Sequence, residues 1–234
     1  MPNEPVITFD VAGAGADSAQ GTCPTSINES GEVAGSYLDV NTVNHGFVRQ
    51  PDGAVTTFSD PDASSVPFDG TLVTAIGDSG IVTGYYIDSS AVFHGFAVVP
   101  PRISTIDIPG SGTYPFAGTR VTAINSATTL VGYYYGNTSG AGFLLAGRVV
   151  TRFDIGESVE PFSINSGGAV TGYFGDSTGS HGFLRTPAGM IVRFDDPAGA
   201  NQTFPESIND PGVITGYYYD TNFVSHGFIF TPSL

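Results

Sequence analysis

Four aspartate and histidine pairs recur along the chain, Asp39 with His45, Asp88 with His94, Asp176 with His181 and Asp220 with His226, five or six residues apart. A carboxylate that near an imidazole orients the ring and favours its charged form, which makes the pair a candidate general base or pH sensor. The same pair can pin a loop by a hydrogen bond, and fourfold repetition suits a structural tie better than a catalytic centre. Repetition also suits a multivalent binding protein, in which several equal sites give avidity. Tyr135 and Tyr219 vary from one repeat to the next, whereas Tyr134 aligns with Tyr37, Tyr86 and Tyr218. The varying pair is expected at the surface, where a tyrosine stacks on a sugar ring and hydrogen-bonds through its hydroxyl.

Other residues offer different chemistry. Glu157, Glu160, Glu206 and Asp69 stand outside the repeat, and asymmetry is what a single acid and base pair for glycoside cleavage requires. Asn28, Asn125, Asn165 and Asn209 recur at one position of the repeat; their oxygens could ring a channel and hold calcium, or each could simply start a hairpin as an Asx turn. The sole cysteine, Cys23, aligns with Phe204. It is either a nucleophile near His45 or a small buried substitute for an aromatic ring.

The elements that must position these groups come from a pattern found five times. A short strand a leads through an Asn-containing turn to a Gly-Tyr strand b, then a loop, a His-Gly-Phe strand c, a tight turn and a strand d ending in Phe-Asp. The glycine of strand b falls at Gly35, Gly84, Gly132, Gly172 and Gly216, spacings of 49, 48, 40 and 44 residues. Units of four strands at this period cannot bury their own apolar faces, so neighbouring sheets must stack, and the pattern predicts a five-bladed, all-β propeller with four antiparallel strands per blade. The blades are expected over 25–59, 74–107, 122–154, 162–195 and 206–232. The last lacks a strand d, while residues 5–10 read as an isolated one, so the N-terminal strand is expected to complete the last blade and remove a sheet edge. The b-c loops and the long d-to-a connections then share one rim, where binding residues of a rigid scaffold usually reside. The third blade departs from the pattern, with Gly136 and Ala141 in place of Asp and His.

Composition removes several functional classes. All seven basic residues of the 234 are arginine, against 22 acidic ones, for a net charge of −15. Without lysine there is no Schiff-base chemistry and no Walker-type phosphate loop. A chain this acidic makes nucleic acid and anionic membranes poor partners. Thirty-two glycines and sixteen prolines argue against helical bundles, and 40% hydrophobic residues against disorder. Residues 1–20 carry no basic start followed by an apolar core, and no run reaches the roughly 18 apolar residues of a membrane span, so no membrane insertion is expected. A monomer is expected.

The words Pro24-Thr25-Ser26-Ile27-Asn28-Glu29-Ser30-Gly31, Gly84-Tyr85-Tyr86-Ile87-Asp88 and His45-Gly46-Phe47-Val48-Arg49 resemble the bacterial extracellular repeat called the HAF family, over about residues 5–232. The resemblance implies an exported repeat protein, extracellular or periplasmic after loss of a signal peptide, and brings no defined activity. Blade count and length also resemble the tachylectin type of lectin, by shape alone. The expected function is a binding module for carbohydrate or another small polar ligand. The alternative is a hydrolase or lyase with one carboxylate-based or calcium-assisted site at the channel mouth.

Overall fold

The computed structural model describes residues 6–99, 102–136, 140–199 and 202–232. Nineteen strands are present among them, in five successive antiparallel units. The first unit is β1 Gly21–Ile27, β2 Val33–Leu38, β3 Asn44–Arg49 and β4 Val55–Phe58. The second is β5 Gly70–Ile76, β6 Val82–Ile87, β7 Phe93–Val99 and β8 Arg102–Ile106, and the third β9 Gly118–Ile124, β10 Leu130–Tyr135, β11 Gly140–Ala146 and β12 Val149–Phe153. The fourth is β13 Ser158–Ile164, β14 Val170–Asp176, β15 Gly179–Arg185 and β16 Ile191–Phe194, and the fifth β17 Thr203–Ile208, β18 Ile214–Tyr219 and β19 Ser225–Phe230. No helix among the described residues is long and apolar enough to cross a membrane.

The strand b glycine has a steric cause. The inner strand of each unit carries one extra residue, Thr25, Thr74, Thr122, Phe162 or Glu206, where the register shifts. The carbonyl ahead of each bulge turns onto the neighbouring strand. A Cβ on Gly84 would lie 2.0 Å from the Leu72 carbonyl oxygen, and one on Gly132 2.1 Å from that of Arg120; only glycine fits beneath such a bulge.

Most of the core lies between units rather than inside them. Ala34, Val48 and Phe58 of the first unit pack on Val73, Val82 and Phe96 of the second; Val131 and Phe153 of the third pack on Val159, Phe174 and Phe183 of the fourth. Phe96, Phe143 and Phe183 are wholly buried. Single parallel bridges, Asn44 to Gly70 and Phe93 to Gly118, stitch the first three units together. They do so by starting strand a earlier than its apolar run suggests, at Gly70 and Gly118, both with positive φ. In the fourth and fifth units strand a likewise begins early, so that Phe162 and Phe204 lie in β13 and β17.

The expected closing strand differs from the structure. Residues 6–10 form no strand, and the fifth unit has three strands among the described residues; residue 5 lies outside them. Phe9 packs instead edge-on to Phe47 at 5.9 Å, beneath the Arg49 guanidinium, and with Val11 joins the core of the first unit. Among the described residues the contacts between units run from first to fifth in sequence order, and none of similar extent joins the fifth to the first. With no sheet covering β1, Cys23 is exposed rather than buried.

Candidate functional site

Each Asp and His pair forms, as a loop clasp. Asp39, Asp88 and Asp220 each accept two backbone amides of their own b-c loop through Oδ1, from Asn41 and Val43, Ser90 and Val92, and Asn222 and Val224. The other oxygen faces the imidazole: His45 Nε2 is 3.4 Å from Asp39, His94 3.6 Å from Asp88 and His226 3.5 Å from Asp220. The rings of His45, His94 and His226 stack on the strand b tyrosine opposite, Tyr37, Tyr86 and Tyr218. In the fourth unit His181 Nε2 is 3.2 Å from Asp176, whose carboxyl is held down to about 2 by the hydroxyl and amide of Thr178 and by His181 itself.

The second ring nitrogen is also engaged, by residues that spacing alone did not single out. His45 Nδ1 meets Ser59 Oγ at 2.7 Å, His94 Nδ1 meets Asp107 at 3.0 Å and His181 Nδ1 meets Asp195 at 2.9 Å. The Phe-Asp ending of strand d was the available signal, because the register of c against d places that residue beside the histidine. An imidazole with both ring nitrogens engaged in this way ties the b-c loop to strands c and d. Beside the first clasp lies a cavity of about 500 Å³ lined by Asp39, Asn41, Val43, His45, Ser65 and Pro67. Phe68 and Phe116, exposed and in the left-handed region, are anchored to the preceding b-c loops through their amides to the Thr42 and Ala91 carbonyls.

The asparagines are staples between units. Their Oδ1 atoms accept amides of their own hairpins at 2.8–3.0 Å, from Glu32, Thr129, Ala169 and Val213. Asn28 Nδ2 donates to the Gly77 carbonyl of the next unit at 3.2 Å, Asn125 to Asn165 at 3.1 Å and Asn165 to Asn209 at 3.0 Å. Asn125 and Asn165 line a channel mouth of about 480 Å³ together with Glu29, Asp78, Ser126, Ser166 and Asp210. Asp78 and Asp210 accept the Glu29 and Ser166 amides of the neighbouring unit. The amide oxygens thus turn back on the hairpins rather than toward a shared ion.

The carboxylates separate. Among the described residues no hydrogen bond or ion pair joins Glu157, Glu160 and Glu206. Glu206 stands at the surface on the bulge of β17, its carboxyl pushed up by partial burial. Glu157 is exposed, and its amide donates to the Gly175 carbonyl. Glu160 is the centre of a group. Tyr135 donates to its Oε1 at 2.5 Å, and Tyr173 is its cross-strand neighbour, within reach of the Glu160 charge. Tyr133 lies against Tyr135 at 5.6 Å and accepts Arg120 Nη1 at 2.8 Å; that guanidinium sits 3.6 Å over the Phe93 ring. From Tyr173 the aromatic surface continues through Phe204 at 5.1 Å to Tyr217 and Tyr219.

Burial, then the Glu160 charge, pushes the Tyr133 hydroxyl up to about 12, while Tyr135 and Tyr173 are driven higher by burial together with the neighbouring Glu160 carboxylate. These phenols stay protonated donors, which suits hydrogen bonding to a polar ligand and opposes proton abstraction. Tyr135, Tyr173, Tyr217, Tyr219 and Glu160 are all partly exposed. The structure thus joins Tyr135 and Tyr219 through one continuous surface and adds Glu160, Tyr173, Tyr217 and Arg120 to it. Only the facing of one sheet on the next reveals that grouping.

No family description matches the sequence, and a search of curated proteins finds no match. Solved structures with a similar fold include a catalytically inactive virginiamycin B lyase from Staphylococcus aureus with quinupristin, at TM-score 0.55 and 14% identity, covering 94% of this chain and 74% of that one. A streptogramin B lyase matches at TM-score 0.52 and 14% identity, over 88% of this chain and 68% of that one. The Aleuria aurantia lectin in complex with Fucα1-6GlcNAc matches at TM-score 0.50 and 12% identity, over 90% and 74%. At such identities the likeness concerns architecture alone: the many short antiparallel strands of this chain are arranged as a β-propeller.

Proposed function

We propose that the protein is an exported five-bladed propeller that binds a carbohydrate or another small polar ligand on the face carrying the b-c loops. The observation that carries this reading is the surface around Glu160: phenol donors, a carboxylate acceptor and aromatic faces, all partly open, with no hydrogen bond or ion pair between Glu160 and a second carboxylate among the described residues. A sugar needs that combination, since its ring presents an apolar face for stacking and a rim of hydroxyls for hydrogen bonds. Fold analogy adds a lectin among the structural neighbours, complexed with a fucoside, and the HAF-like repeat adds export. The test is a glycan array at neutral and mildly acidic pH, followed by calorimetry on the best binder. Tyr135→Phe and Glu160→Gln should each weaken binding by about tenfold, the loss of one polar contact of about 1.4 kcal/mol. An array without binders, or a ligand whose affinity both variants leave unchanged, defeats the reading.

A further inference from the structure

Four units lay a histidine on the aromatic ring opposite it in strand b. The register is common to all of them: Tyr37 faces His45, Tyr86 faces His94, Phe174 faces His181 and Tyr218 faces His226. The ring centroids of these pairs are 5.0, 4.8, 5.2 and 5.1 Å apart. In the first, second and fourth units the imidazole Nδ1 also meets the residue just after strand d, Ser59, Asp107 or Asp195.

The third unit keeps the ring and the carboxylate without the imidazole. Tyr134 faces Ala141 in the same register, and Asp154 follows Phe153 as Asp195 follows Phe194. With alanine at that position, a cavity of about 210 Å³ opens, lined by Tyr134, Ala141, Arg152, Phe153 and Asp154. Strand pairing makes each of these the counterpart of a residue in the fourth unit: Phe174, His181, Arg193, Phe194 and Asp195. The cavity is therefore framed by the groups that elsewhere hold a histidine.

The walls are ready for a ring. Tyr134 is backed by Ile108, Val121 and Phe143 in a buried cluster, so its position does not depend on what enters the cavity. Asp154 is exposed, and among the described residues its side chain accepts only the Gly156 amide, at 3.5 Å, which leaves lone pairs for another donor. The Arg152 guanidinium lies 5.6 Å from the Tyr134 centroid and donates to the Pro109 carbonyl. The fourth unit shows that a guanidinium and an imidazole fit round one ring, since Arg193 lies 4.6 Å and His181 5.2 Å from Phe174. A cavity of roughly 150 Å³ takes up a benzene-sized ring, so this one has room for a smaller heterocycle. Tyr134 and Tyr135 point to opposite faces of β10, which keeps the cavity apart from the Glu160 surface.

We propose that the third unit carries a small-molecule site for a planar N–H heterocycle of imidazole size, which stacks on Tyr134 and donates to Asp154. The ligand takes the place of the histidine that the other units supply themselves. Stacking uses the aromatic face, and the carboxylate selects for a ring that bears a donor.

Imidazole alone is the probe, titrated into the nitrogen-labelled full chain at about pH 8.5, two units above the ordinary imidazole pKa of about 6.5. The amides of Ala141, Gly142, Phe153 and Asp154 are expected to shift saturably, with a Kd on the order of 1 mM for so small a ligand. N-methylimidazole, which has no N–H when neutral, should bind about tenfold more weakly, and Asp154→Ala should weaken imidazole by a similar factor. Ala141→His should abolish the shifts and raise Tm, because the chain then fills the cavity with its own ring. Shifts that fail to saturate, that spread over the whole chain or that persist in Ala141→His overturn the proposal. Equal affinity for N-methylimidazole does so too. If Ala141→His does not fold, Asp154→Ala decides alone, and unchanged affinity there defeats the assignment.

Discussion

Replacing Asn165 by alanine isolates what the asparagine staples contribute. The side chain is buried, donates to the Asn209 carbonyl at 3.0 Å and accepts the Ala169 amide at 2.8 Å. Each bond is worth about 0.5–1.5 kcal/mol net, and leaving the half-buried Ala169 amide short of a partner adds to the cost. The sum is about 2–3 kcal/mol, which for a chain of this size lowers Tm by about 4–12 °C. Asn209 makes only its hairpin bond, at 2.8 Å to Val213, so Asn209→Ala should cost about 0.5–1 kcal/mol. Gly77 occupies the same position in the second unit, and a Cβ there meets only the movable Ile124 Cδ1 at 3.2 Å. Gly77→Asn should therefore add a staple to the Asn125 carbonyl and raise Tm. Scanning calorimetry with and without EDTA decides the matter. Equal losses for Asn165→Ala and Asn209→Ala, or a fall of Tm in EDTA with the wild type, would refute the staple and favour a bound ion.

Two more outcomes follow from single residues. Asp176 has its folded-state pKa depressed to about 2, below the unfolded value of about 3.9, so its contribution is present above about pH 4 and is lost as pH falls toward 2. The Tm gap between wild type and Asp176→Asn should thus shrink across that window, and a constant gap would sink the assignment. Gly84→Ala places a methyl 2.0 Å from the Leu72 carbonyl oxygen, a backbone clash with no side chain to yield. It should cost more than about 4 kcal/mol and leave little soluble protein; wild-type melting would disprove the bulge account.

The repeat was legible because its key residues answer to local geometry. Gly35, Gly84, Gly132, Gly172 and Gly216 sit under a bulge carbonyl, and Asn28, Asn165 and Asn209 open hairpins by bonding the amide four residues on. Both constraints act over a few residues, so spacing records them. The pairing of Asp39 with His45 was legible for the same reason. What spacing does not record is which sheet faces which. The meeting of Tyr135 with Glu160 spans 25 residues, and that of His181 with Asp195 depends on the register of β15 against β16. The solitary position of residues 6–10 was hidden for a different reason: their composition fits an outer strand, and composition names no partner.

Placing each core between sheets makes the stability of the array a chain of nearest-neighbour couplings, closer to a zipper than to a droplet. The second, third and fourth sheets are gripped on two sides, whereas the first and fifth are gripped mainly on one. Thermal opening then begins at the outer sheets and travels inward, and amide exchange grades from fast in β18 and β19 to slow in β10 and β14. The candidate ligand surface spans the third, fourth and fifth sheets. Its rigidity is inherited unevenly: firm around Tyr135 and Glu160, loose at Tyr219, so a ligand reaching Tyr219 would tighten the frayed end as it binds.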